Sequence, residues 1–160
     1  MSRHTHSLYA EQRLQDLEIS LPPPPTPLGA YVETVQTGNL LFLSGALPVE
    51  AAVPRFKGRI GADLTVEDGQ HAARLAALNA VSLAKQYLGS LNRVKQVVRL
   101  GVAMVTTAEF LEHPKVADAA SDLLVAVFGP DKMSTRLVLG MASLPLGLCV
   151  ELEVILEVTG

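Results

Sequence analysis

The chain has 160 residues, 49% of them hydrophobic and only 4% aromatic, so a single domain with a core of Ala, Val and Leu is expected. Its formal net charge of -3 and its scattered basic residues argue against nucleic acid as the main partner, because phosphate binding wants a basic stripe. No uncharged apolar run reaches the roughly 18 residues of a membrane span, and the start "MSRHTHSLYAEQRLQDLEI" lacks the apolar segment of a secretory leader.

Residues 8 to 20 read as a short helix, with Leu8, Leu14, Leu17 and Ile19 giving a partial apolar stripe. "LPPPPTPLG" follows, and its proline run forbids both helix and sheet interior, so an extended arm is expected. Residues 1–28 are therefore taken as an arm and linker and 29–160 as the domain. A proline run makes few regular backbone hydrogen bonds, so removal of the arm is expected to spare the fold.

"AYVETVQTGNLLFLSGALP" predicts a hairpin turning at Gly38-Asn39, and residues 53 to 61 predict a short edge strand. A long helix should follow, capped by Thr65, with Glu67 and Asp68 at its positive end and Gly89 as its stop. Its face of Ala72, Leu75, Ala76, Asn79 and Leu83 is small enough to approach a sheet closely. Residues 93 to 105 predict a strand, and Pro114 opens a second helix that ends before Gly129-Pro130. Strands over about 134 to 143 and 149 to 158 close the chain. The order specifies an α+β fold, with two helices on one face of a mixed sheet.

Period two in the last strand puts Val150, Leu152, Val154, Leu156 and Val158 on a core face. Glu151, Glu153, Ile155 and Glu157 then share the other face, which meets water, a partner subunit or a ligand. In the preceding strand, Leu137, Leu139 and Met141 are expected inside. Arg136, Val138 and Gly140 are expected outside, on the same side as Glu151. Hairpin counting through "SLPLGL" would set Arg136 opposite residue 155 or 156.

Arg136 has a plain reading, a strand arginine whose head reaches solvent, and a functional one, a fork for a substrate carboxylate. Glu151 is either an exposed strand residue or a base that orients water. His4 and His6 form a short H-x-H, His71 and His113 are isolated, and no Cys/His spacing matches a zinc site, so no metal is expected. Ser44 lacks the glycine before it that a nucleophile elbow needs, and there is no phosphate-binding glycine loop. The lone Cys149 cannot form an internal disulfide, which favours a reducing, cytoplasmic setting. Cofactor-independent chemistry or plain ligand binding remains.

"GAYVETVQTGNLLFLSGALP" and "TRLVLGMASLPLGLCVELEVI" resemble the conserved blocks of the RidA/YjgF family, also labelled translation initiation inhibitor or endoribonuclease L-PSP. The resemblance spans residues 28 to 158. It implies a chorismate-mutase-like fold assembled as a trimeric barrel, with clefts between subunits. It also implies hydrolysis of reactive 2-imino or 2-enamino acids to 2-keto acids and ammonia, with no cofactor. By motif, the carboxylate-binding arginine falls on Arg136, the water-handling glutamate on Glu151, the cleft tyrosine on Tyr31 and the serine on Ser44. Backbone donors at Ser44 and Gly45 would order the ligand, and the cleft asparagine of the family is replaced by Ser121. Val138, Ala46 and Ala30 are further departures that change cleft polarity. The partners implied are a small carboxylate-bearing imine, enamine or keto acid and two further copies of the chain. A non-catalytic binding or regulatory trimer and an RNA-directed activity are the competing readings.

Overall fold

The computed structural model describes residues 9–160, so Leu8 and the His4/His6 pair lie outside the described residues. A helix α1 (Ala10–Asp16) is followed by the extended proline segment and a hairpin of β1 (Thr34–Thr37) and β2 (Leu40–Leu43). A two-stranded hairpin, β3 (Val49–Glu50) and β4 (Val53–Pro54), leads to the long helix α2 (Val66–Leu88). Then come β5 (Val94–Val105), α3 (His113–Phe128), β6 (Thr135–Met141) and β7 (Val150–Val158). This is an α+β fold with one mixed five-stranded sheet, in the order β1-β2-β7-β5-β6, and three helices.

The ends of α2 are where the sequence puts them, whereas α1 is shorter than the span of residues 8 to 20 expected. The Thr65 side chain accepts from the Asp68 amide at 3.1 Å while Asp68 accepts from the Thr65 amide at 2.8 Å, a reciprocal cap. Gly89, at φ 78°, ends α2 in a conformation that a side chain would resist. Small residues set the depth of packing. Ala72, Ala76 and Ala80 of α2 join Ala117 and Ala120 of α3 in one core with Leu100, Val102 and Met104 of β5 and the even-numbered residues of β7. Gly69 is required by closeness: a Cβ there would lie 2.8 Å from Ile60 Cδ1. Asn79, a buried polar residue of α2, donates to the Leu47 and Val49 carbonyls at 2.8 Å each and so tethers β3.

Three expectations are corrected. First, the last two strands do not form a hairpin. β7 lies between β2 and β5, while β6 pairs with β5 in parallel at the sheet edge, with Arg136 level with Leu100 and Val138 level with Val102. Leu100 and Val102 face the helices, so Arg136 and Val138 do too, and Leu137, Leu139 and Met141 stand 41–48% exposed on the opposite face. The assignment of faces along β6 is therefore inverted: a parallel neighbour needs a crossover, and α3 supplies it over the face to which Arg136 points. Second, residues 53 to 61 yield only the two-residue β4 and isolated bridges at Lys57 and Ile60.

Third, the N-terminal segment is fastened to the domain. Ala10 and Leu14 of α1 are buried in the main core. The Arg13 guanidinium donates to the Ala126 carbonyl at 2.8 Å, near the end of α3, where carbonyls lack intrahelical partners. The Glu11 carboxylate accepts from Lys85 Nζ and from the Leu91 amide, each at 2.9 Å. Further on, the Ser82 hydroxyl donates to the Pro22 carbonyl at 2.6 Å.

Candidate active site

The residues singled out by sequence fall into two groups on opposite sides of the sheet. The first gathers around Glu151. On β7 it is level with Ala103 of β5, which is level with Leu139 of β6, and these small and apolar neighbours line one cleft with Gly45, Gly101 and Leu137. Burial pushes the Glu151 carboxyl above its ordinary value. No hydrogen bond or ion pair to Glu151 exists among the described residues, although Arg99 and Glu153 beside it are paired at 2.8 Å. Its carboxylate rests against Gly45, where any Cβ would overlap Oε1, so the glycine of "SGA" makes the space for the acid.

Ser44 and Tyr31 line a separate cavity that meets the Glu151 cleft only at Gly45. Between β2 and the Ala46–Leu152 bridge the chain carries one residue more than β7 does, and Ser44-Gly45 take up the excess. The Ser44 hydroxyl donates to the Val32 carbonyl at 2.6 Å, and the Tyr31 phenol accepts from the Leu28 amide at 3.1 Å, which draws the chain after the proline run over that cavity. Tyr31, Ser44 and Gly45 line a mainly apolar cavity of about 180 Å³ beneath Pro22–Pro25. The tip of the β3–β4 hairpin closes another side, with Ala51 and Ala52 at φ 49° and 63°. That two-residue turn ordinarily takes Asn-Gly, so two alanines there are strained. Nothing in the sequence signalled this wall, because alanines give no turn signal.

The second group surrounds Arg136. Its Nη1 donates to Asp118 Oδ1 at 2.7 Å and to Ser121 Oγ at 3.0 Å, both on α3. Ser121, the position that stands in for the family's cleft asparagine, is thus a neighbour of Arg136. Asp118 was missed, although its i,i+3 spacing to Ser121 places both on one helix face. With Asp122 and Lys132 these residues line a cleft of about 350 Å³ between α3 and the start of β6. Within one chain, Arg136 and Glu151 do not share a cleft.

Neither remaining histidine joins these groups. His71 lies 6.5 Å from the Phe56 ring, and His113 packs edge-on to Phe110 at 5.1 Å. Among the described residues no cluster of three or more His, Cys, Asp or Glu side chains could hold a metal, and no helix is long and apolar enough to cross a membrane. Cys149 is buried, and desolvation pushes its thiol up to about 11, which keeps it from acting as a nucleophile.

A family model described as YjgF/chorismate mutase-like, putative endoribonuclease, matches residues 11–157. The chain belongs to the YjgF family. Protein TCP17 of Trypanosoma cruzi is 42% identical over 145 residues, 90% of this chain and 91% of that protein. A putative endoribonuclease from Shewanella oneidensis is 35% identical, with a TM-score of 0.89 over 94% of this chain and 99% of the other. RidA of an Antarctic Psychrobacter, at 22% identity and TM-score 0.58 over 84% of this chain and 94% of the other, shows the shared fold. The YjgF match begins inside α1, in keeping with the burial of that helix.

Proposed function

We propose that this YjgF protein hydrolyses reactive 2-imino or 2-enamino acids to 2-keto acids and ammonia, at clefts shared between copies of the chain in a cytoplasmic homotrimer. The observation that carries the reading is Glu151: a carboxylate raised by burial, unpaired among the described residues and set against a glycine in an open cleft. Such a group is a stronger proton acceptor than an ordinary exposed glutamate and suits proton transfer to and from water. Arg136 is the complementary half, a guanidinium whose Nε and Nη2 make no hydrogen bond among the described residues. A planar fork of this kind binds a carboxylate at two points.

The chemistry follows from these two groups. Arg136 holds the substrate carboxylate and fixes the C=N carbon in place. Glu151 accepts a proton as the water oxygen bonds to that carbon and the C=N π pair moves to nitrogen, and it then hands that proton to the nitrogen. The carbinolamine collapses as Glu151 carries the hydroxyl proton to the nitrogen: the C–N bond breaks, the hydroxyl oxygen becomes the carbonyl, ammonia departs and Glu151 is again a carboxylate. Because Arg136 and Glu151 lie on opposite faces of one sheet, a single cleft must take Arg136 from one copy and Glu151, Gly45, Ser44 and Tyr31 from another. The exposed Leu137, Leu139 and Met141, on the edge strand next to the Glu151 cleft, give that second copy an apolar seat.

The test is to generate a 2-imino acid in situ and follow ammonia and keto acid. Arg136→Lys is expected to lose about 30- to 1000-fold in rate, because an ammonium offers a point charge where a fork is needed. Wild-type turnover by this variant would reduce Arg136 to a strand-edge residue. A second reading, a binding or regulatory protein without turnover, draws on the Arg136–Asp118 ion pair, which already occupies one side of the guanidinium. Stable carboxylate binding with no ammonia release would favour it.

A further inference from the structure

The cleft around Arg136 is poorly prepared for a bare carboxylate. Asp118 sits 2.7 Å from Nη1, and Asp122 and Lys132 line the same cleft, so two carboxylates there face two cations. Lys132 is already engaged, its Nζ donating to the Val94 carbonyl at 2.9 Å. A simple monocarboxylate must therefore share one arginine with an anion that the protein itself provides. Two anions on one guanidinium repel each other, and the second binds more weakly than the first.

The same arrangement welcomes a different ligand. Asp118 uses only Oδ1, and its Oδ2 makes no hydrogen bond among the described residues, while Arg136 keeps Nε and Nη2 open. A molecule that carries a cationic nitrogen next to its carboxylate presents one charge to each. The carboxylate meets the open side of the guanidinium, and the N–H⁺ donates toward Asp118. Resting on the reading of Arg136 as a carboxylate clamp, we propose that Asp118 is a specificity-determining residue. It makes the cleft select zwitterions, an iminium or ammonium beside a carboxylate, over 2-keto acids. Hydrolysis then removes the cation, and the keto-acid product is left competing with Asp118 for Arg136, which promotes its release. Ser121 supports this by holding Nη1 on the Asp118 side at 3.0 Å.

The pair is partly solvated, with side chains 26% and 59% exposed, so its influence is modest: a shift of about 3- to 10-fold in relative affinity is expected. The experiment uses the full-length assembled protein and two stable probes of equal size, 2-aminobutanoate and 2-oxobutanoate. Dissociation constants are measured by ligand-observed NMR for wild type, Asp118→Asn, Arg136→Ala and, as a control outside the cleft, Glu67→Gln in the exposed first turn of α2. Wild type should prefer the amino acid, Asp118→Asn should tighten the keto acid and weaken the amino acid, and Glu67→Gln should leave the ratio in place. An unchanged ratio in Asp118→Asn, an equal change in Glu67→Gln, or a wild type that binds neither probe or both alike overturns the proposal. If Arg136→Ala binds both probes as wild type does, the clamp itself falls. If Arg136→Ala abolishes binding while Asp118→Asn changes nothing, the clamp stands and only the role of Asp118 is lost.

Discussion

At Glu151, burial and function are tied through one proton. A carboxyl raised by desolvation is held more tightly protonated in the folded chain than in the unfolded one. The stability linked to it is therefore complete below the unfolded value and is lost as pH rises through the folded one. Glu151→Gln keeps the shape without the charge. The variant should melt at a higher temperature than wild type near pH 7, and the difference should close as pH falls toward 4, which calorimetry across that range can read. The same change should lower kcat for imine hydrolysis by about 100- to 10,000-fold, with ligand binding at Arg136 retained. A variant with lower neutral-pH stability would mean that Glu151 has a favourable partner in the assembled protein. Gly45 belongs to the same unit, since the acid occupies the volume where a side chain would begin.

Among the elements, α1 and β6 decide most. α1 is only about two turns of amphipathic helix, too short to hold by itself. Tertiary contacts hold it: Leu14 in the core, Arg13 over the end of α3, and Glu11 between Lys85 and the Leu91 amide. Leu14→Ala should cost about 2 to 4 kcal/mol in urea unfolding. Deletion of residues 1–20 should cost more, contrary to what a proline-rich arm by itself implies. An unchanged midpoint in either protein would show the helix to be dispensable. β6 occupies the open edge of the sheet beside β5. At that edge an inward-facing residue lies beside α3 rather than beneath it. Arg136 can therefore bond Asp118 and Ser121 and still reach solvent.

For the whole molecule, the face away from the helices presents Leu137, Leu139 and Met141 on β6 and Val35 and Phe42 on the β1–β2 hairpin, all exposed in one chain. Basic side chains near this face are matched by acids, Arg99 with Glu153 at 2.8 Å and Lys95 with Glu157 at 3.2 Å, which leaves little free positive field for phosphates. An apolar face with compensated charge suits association with copies of itself. Leu139→Glu places a charge at its centre and should convert the proposed trimer to folded monomer, seen as a drop to 17.0 kDa in sedimentation equilibrium with far-UV circular dichroism preserved. The proposed deaminase activity should vanish with that assembly, since Arg136 of one copy and Glu151 of another would then have no way to meet. A wild-type protein that sediments as a monomer would remove the shared site altogether.

Local chemistry carried much of this in the sequence: the Thr65 cap, the Gly89 and Gly129 stops, the Gly38-Asn39 turn and the alternation of β7 all act over a few residues, where propensity and periodicity operate. The motifs around Arg136 and Glu151 likewise pointed to the family. Strand order could not be read the same way. Whether β6 pairs with its successor or crosses over to lie parallel with β5 depends on long-range pairing, and one choice or the other reverses every side chain along it. Only the tertiary structure turned Arg136 toward α3, disclosed Asp118 as its partner, anchored the N-terminal helix and separated the two halves of the site. Each of those is a contact between segments far apart in the chain, fixed by packing rather than by neighbouring residues.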